Sequence, residues 1–237
     1  MNDVFLQQTF DLSIRNKKIF DNFSGHSNIK QKEMFVHYLS TRTENMILLF
    51  GESGSGKSHL LQAACHFYQH HGGKATYASL KRPTDIETIL LRNLNGLLIC
   101  IDDVELAQGH LELEHLLFKL YNQVELAGCL MVWGKQSNIP FSRKDLQSRS
   151  QAMLKIQLLT YPPAETLMLL EQYLIETQSS IPLPICEYLI KNYTRNMTKL
   201  LIKIKEIEEH AYSLRKKITL KMCKELIEDL HLLDEST

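Results

Sequence analysis

The absences in this sequence narrow its reading first. Its five cysteines (Cys65, Cys100, Cys129, Cys186, Cys223) are an odd number with no Cys-x-x-Cys pair. Neither a disulfide framework nor a zinc ribbon is expected, and reduced buried thiols in a cytoplasmic protein are the expectation. The strongly apolar runs at 46–50 and 97–101 fall far short of the roughly 20 residues that cross a bilayer. No basic segment followed by an apolar stretch occupies Met1 to Phe10, so no secretory signal is expected. Lys plus Arg number 27 and Asp plus Glu also 27. That balance argues against a surface given over to nucleic acid or membrane, while leaving room for a local basic patch. Ten glycines and six prolines in 237 residues leave no flexible linker, and no internal repeat is seen. His70-His71 has no Cys or acid at ligand spacing, so a metal site there is not expected.

What is present is an ordinary globular composition, 44% hydrophobic and 23% charged. At about 150 residues per domain the length suits one large domain with a small appendage. Short apolar strands alternate with amphipathic helices. Strands are expected at 46–50, 75–80, 97–101, 129–133 and 153–159, with helices at 29–39, 59–71, 83–94, 111–126 and 145–150. That alternation predicts βαβ units and a parallel sheet. Beyond Pro162-Pro163 the strand signal disappears, and four helices are expected at 164–177, 184–192, 197–215 and 220–230. The fold class is therefore α/β, a nucleotide-binding domain over 19–160 followed by a small all-α domain over 161–237. Residues 1–18 are read as an extended segment.

The chemistry concentrates at Gly51-Glu52-Ser53-Gly54-Ser55-Gly56-Lys57-Ser58. It fits G-x-x-x-x-G-K-[ST] between an apolar strand and a helix beginning around His59. Glycines let successive N–H groups turn toward phosphate oxygens, and the helix N-terminus adds positive potential. Lys57 is placed to reach the β- and γ-phosphates, and the Ser58 hydroxyl to ligate magnesium. The strand 97–101 runs into Asp102-Asp103. Asp102 is the second magnesium candidate, and Asp103 the candidate to orient or deprotonate an attacking water.

These parts together resemble the AAA+ ATPases, and more narrowly the DnaA-related replication proteins. The resemblance is carried by Ile19-Phe-Asp-Asn-Phe23 with Gly25 and Asn28, by the phosphate loop with His59-Leu-Leu-Gln-Ala63, and by Asp145-Leu-Gln-Ser-Arg149. It implies ADP or ATP with magnesium as cofactors, with the loop residues, His59 and Asn28 at the nucleotide. It makes Arg149 an arginine finger acting on a partner's nucleotide, unless that residue is an ordinary surface ion pair near Asp145. Thr194-Arg-Asn-Met197 is similar to the lid segment whose arginine contacts phosphates, which makes Arg195 the candidate; Thr198 replaces a second arginine.

The initiator type carries a DNA-binding domain after the lid, and this sequence ends at Thr237 without one. The resemblance then points to the short DnaA homologues of the Hda family, which inactivate the initiator. Their mark is a sliding-clamp-binding peptide, which Gln7-Gln-Thr-Phe10-Asp-Leu12 fits. Gln7 would supply hydrogen bonds, with Phe10 and Leu12 entering an apolar cleft. The implied partners are the sliding clamp and the DnaA initiator, with DNA reached mainly through the clamp. Self-association into a dimer stays open. At Trp133-Gly134-Lys135-Gln136 a lysine stands where the family places an acid, so weak or absent intrinsic hydrolysis is expected. The rival is a DNA-binding or helicase-loading ATPase. Residues 191–224 hold ten Lys or Arg against three Glu, although such a stripe is more often a solvated face.

Overall fold

The computed structural model describes residues 18–136 and 140–234, with side chains as far as Ile227. Gln7, Phe10 and Leu12 lie outside the described residues. The strands β1 (Met46–Phe50), β2 (Lys74–Ser79), β3 (Leu97–Asp102), β4 (Leu130–Lys135) and β5 (Leu154–Gln157) form one sheet in the order β2-β3-β4-β1-β5. Every neighbouring pair is parallel, as the alternation predicts. A parallel sheet is buried on both faces, which is why its strands read as unbroken apolar runs.

Side-chain alternation divides each run between two layers. Ile47 and Leu49 pack with Phe35 and Leu39 of α1 (Ile29–Thr41) and with Leu60, Leu61 and Ala64 of α2 (Lys57–His70). Leu48, Ile99, Ile101 and Trp133 face the other way, against α3 (Pro83–Leu90), α4 (Leu111–Ala127) and α5 (Lys144–Ala152). A third core joins α6 (Pro163–Thr177), α7 (Leu183–Asn192), α8 (Met197–Ser213) and α9 (Leu220–Asp234) through Leu170, Leu189, Leu200, Ile204 and Cys223. All five cysteines are buried free thiols. Among the described residues no helix is long and apolar enough to cross a membrane.

Helix α3 stops at Leu90 rather than 94 because the chain turns locally: the Asn95 N–H donates to the Asn93 side chain at 3.0 Å. Strand β4 begins one residue late because the Cys129 N–H still donates to the Val124 carbonyl at the end of α4, at 3.1 Å.

Asn28 has a structural task. Its side-chain N–H donates to the Leu159 carbonyl at 2.9 Å and its oxygen accepts the Leu159 N–H at 2.8 Å. Fully buried, it fastens the entry of α1 to the segment after β5. Nearby, Glu165 of α6 accepts the Ser27 N–H at 2.9 Å and the Ser27 hydroxyl. Asn28→Ala removes both part-buried hydrogen bonds to Leu159, at a cost of about 0.5–1.5 kcal/mol each. It is expected to lower the urea midpoint without lowering Lys57-dependent nucleotide affinity; an unchanged midpoint would refute this role.

Candidate functional site

Parallel strands end on a common edge. Phe50 pairs with Lys135 and Gln157, and Ser79 with Asp102, so the loops that carry chemistry emerge side by side. The phosphate loop turns between β1 and α2, with the Gly51 N–H donating to the Lys135 carbonyl at 3.3 Å. Gly54 adopts φ +84°, and a Cβ there would stand 2.8 Å from the Met197 backbone nitrogen. The lid therefore rests directly on the loop. Asn196, the N-cap of α8, donates from its amide to the Ser53 carbonyl at 3.0 Å while accepting the Lys199 N–H at 3.1 Å. The Tyr161 hydroxyl donates to the Ser55 carbonyl at 3.3 Å.

Within the loop, Lys57 folds back to donate to the Gly51 and Glu52 carbonyls at 2.7 and 2.9 Å. Burial holds its pKa below the ordinary lysine value, opposed by the carboxylates of Glu105, Asp102, Glu52 and Asp103. Asp102 is buried. Its two oxygens accept the Tyr77 hydroxyl at 2.8 Å and the Asp103 N–H at 2.9 Å. Asp103 takes a left-handed backbone, φ 56°, and accepts the Ser79 hydroxyl at 2.5 Å while pairing with Lys81 at 3.0 Å. Gly134 of β4 makes room for this arrangement, since a Cβ there would lie 2.8 Å from Asp102 Oδ1.

One cleft of about 340 Å³ gathers Ser53, Gly54, Gly56, Lys57, Ser58, His59, Asp102 and Asp103. Lys18, Lys81, Gln136, Tyr161 and Thr198 share its wall. Gly51, Glu52 and Ser55 shape the loop behind that surface, where the buried Ser55 hydroxyl has no partner among the described residues. The donor set fits a nucleoside phosphate. Ser58 and Asp102 are oxygen ligands of the kind magnesium accepts beside phosphate and water.

Two residues expected at the nucleotide, Asn28 and Arg195, are absent from the cleft lining. Asn28 is occupied with Leu159, as described. Arg195 is exposed and does not line the cleft. The lid contact belongs to Asn196, because capping α8 turns that residue onto the loop. Arg149 lies on α5, with its guanidinium 2.7 Å from Glu125 and 4.8 Å from the Tyr121 ring. It lies outside its own chain's cleft, and Asp145 pairs instead with Arg143 at 2.7 Å. Lys135 is also displaced from its expected role. It is buried over the Phe141 ring at 4.6 Å, and Gln136 is the residue after β4 that faces the cleft. Asn196 was findable as an Asn ahead of an apolar-periodic helix. Tyr77, Ser79 and Lys81 carry no local signal, because only strand pairing brings them to Asp102 and Asp103.

The architecture matches solved structures. Domain III of the Thermotoga maritima replication initiation protein DnaA superposes with a TM-score of 0.74 at 19% identity, over 90% of this chain and 96% of that one. The fold is DnaA-like. AMPPCP-bound DnaA from Aquifex aeolicus gives 0.62 at 22% identity, covering 81% of this chain and 65% of that one. The Thermotoga maritima RuvB branch-migration motor gives 0.62 at 18%, over 92% and 73%. The chain thus spans about two thirds of the Aquifex DnaA chain. An uncharacterised Haemophilus influenzae protein is 24% identical over 212 residues, 87% of this chain and 92% of that one. No protein-family model matches the sequence.

His59 gives this edge a pH signature. Its Nε2 lies 2.9 Å from the Ile19 carbonyl, which can only accept, and its ring meets Phe23 edge-on at 5.3 Å. Burial, aided by the charges of Lys18 and Lys32, pushes its pKa down to about 4. An unfolded histidine titrates at about 6.5, so the unfolded chain binds the proton more readily between those values. The stability contribution is complete above about pH 6.5 and declines as pH falls toward 4. His59→Gln is expected to flatten the urea midpoint across that range, and an unaltered slope would place the acid sensitivity in another group.

Proposed function

We propose that this chain is a nucleotide-binding regulator of replication initiation of the Hda type. In this reading a sliding clamp holds it on DNA, and it stimulates ATP hydrolysis by the DnaA initiator. The observation that supports the reading is the position of Arg149 outside its own chain's cleft. The phosphate loop and its paired acids form a complete cleft, while Arg149 stands apart on α5. There the Tyr121 and Phe118 rings support it, at 4.8 and 5.3 Å from the guanidinium, and its side chain is 31% exposed.

An arginine outside its own cleft can serve a neighbour's. Opposed to the γ-phosphate of ATP on the initiator, Arg149 would neutralise charge that grows as the terminal phosphoryl group departs. Such a finger supplies roughly 10³ to 10⁵ in rate. The chain's own cleft would hold ADP or ATP. Lys57 and the loop amides would bind the phosphates, with Ser58 and Asp102 as the magnesium ligands. Bound magnesium would supply charge neutralisation between β- and γ-phosphates. AMPPCP in the Aquifex DnaA structure supports nucleotide in this fold.

Intrinsic turnover is expected to be low. Asp103, the only acid placed for the water among the cleft residues expected from sequence, is engaged by Ser79 and Lys81. After β4 the Gln136 N–H donates to Glu105 at 2.9 Å, and Lys135 is buried over the Phe141 ring. The clamp contact is proposed for Gln7, Phe10 and Leu12 on sequence alone.

Three measurements test the reading. Clamp- and DNA-dependent ATP hydrolysis by the initiator is expected to fall by at least about 10³-fold with Arg149→Ala, with the chain's own nucleotide affinity unchanged. Undiminished hydrolysis would remove Arg149 from this role. Lys57→Ala is expected to abolish copurifying nucleotide while preserving the fold by circular dichroism; retained nucleotide would place the binding site elsewhere. Substituting Gln7 and Phe10 by Ala should release the chain from the clamp.

A further inference from the structure

The basic stretch of the lid sorts itself once folded. Lys203 is buried, ion-paired to Glu206 at 2.6 Å and set 5.5 Å from the Tyr193 ring centre. Lys224 lies 5.7 Å from the Tyr188 ring centre. Lys203 is therefore withdrawn from solvent, whereas Lys224 remains exposed. The remaining charge gathers at the turn between α8 and α9. Residues 210–224 contain five Lys or Arg and no acid, and Arg215, Lys216 and Lys217 are consecutive and exposed. No salt bridge to any of these three is found among the described residues. Beside them Tyr212 is 87% exposed and Leu214 46% exposed.

Tyr212, Lys216 and Lys217 border an open groove of about 790 Å³ that is also lined by Ile218, Ser180 and Pro182. Its two acids, Glu208 and Glu209, lie on α8, and Glu208 accepts the Ser179 hydroxyl at 2.5 Å. The rim sets an exposed aromatic face beside two lysines that form no salt bridge among the described residues. Cations track a phosphate backbone, and an aromatic ring offers a stacking platform to an unpaired base. A folded protein of zero formal charge that still concentrates unpaired cations around a solvated tyrosine has a surface complementary to a flexible polyanion with π-faces.

We propose that the α8–α9 turn binds single-stranded nucleic acid, with Arg215, Lys216 and Lys217 on phosphates and Tyr212 stacked on a base. This site is separate from the phosphate-loop cleft and independent of the regulatory reading above. It gives the chain a nucleic-acid contact of its own. A single-stranded ligand is favoured over a duplex because bases in a duplex are already stacked and offer Tyr212 no free face.

Fluorescence anisotropy of a labelled oligothymidylate with the full chain tests this, in the absence of clamp. Wild-type affinity is expected to fall steeply with added salt. The Lys216→Glu, Lys217→Glu double variant is expected to bind at least about 10-fold more weakly, and Tyr212→Ala about 5-fold or more. Retained nucleotide binding by each variant shows that the fold is intact. Wild-type affinity in the double variant would overturn the proposal. So would tighter binding to duplex than to single strand, or capture by phosphatidylserine vesicles with no oligonucleotide binding.

Discussion

The site depends on one close approach. At Gly54 the backbone of the phosphate loop comes so near the start of α8 that a single added carbon would stand 2.8 Å from the Met197 nitrogen and 2.9 Å from the Asn196 side-chain oxygen. The absence of that carbon lets the lid touch the loop through a hydrogen bond, Asn196 to the Ser53 carbonyl. The same residue caps α8, so one side chain serves both the start of the helix and its contact with the loop. A side chain at position 54 would also be strained by φ +84°. The loop's glycine thus answers two demands, the left-handed turn and the seat of the lid.

Around that contact the sheet edge distributes work between groups that bind and groups that restrain. Lys57 is held by loop carbonyls in the place a phosphate would claim, its charge favoured by four carboxylates and opposed by burial. Asp102 and Asp103 are adjacent in sequence yet differently held. Asp102 is gripped by Tyr77 from β2, and Asp103 by Ser79 and Lys81 just beyond it. Both grips come from the strand beside β3, so the pairing of Ser79 with Asp102 sets the electrostatics of the two acids.

The charges away from the cleft follow a related logic. Arg149 is supported by two aromatic rings and an exposed carboxylate, an arrangement that orients a guanidinium without removing it from solvent. A surface pair of this kind contributes at most about 1 kcal/mol, so a stronger anion can displace Glu125. Glu114 of α4, fully buried, accepts the Ser142 and Arg143 N–H groups at 2.8 and 2.7 Å. It thereby anchors the start of the helix that carries Arg149.

The sequence by itself determined the order of elements, the parallel sheet and the phosphate loop. Each of these is written in local patterns: apolar runs of strand length, amphipathic spacing, and a motif whose residues are contiguous. It also placed Asp102 and Asp103 at a strand end, and there they are. Only the tertiary structure decided which neighbours act on them. The Asn28 side chain binds the backbone of Leu159, 131 residues away, a distance no periodicity can bridge. Asn196 meets the loop while the neighbouring Arg195 stays exposed, because the cap geometry of α8 turns Asn196 onto the Ser53 carbonyl. Lys135 turned onto Phe141 because strand alternation sends it to the face opposite Gly134. The ten basic residues of the lid look uniform along the chain, and folding buries Lys203 while it exposes Lys216 and Lys217. Local patterns fix where the chain turns and pairs, whereas the direction of a single side chain is settled by what packs against it.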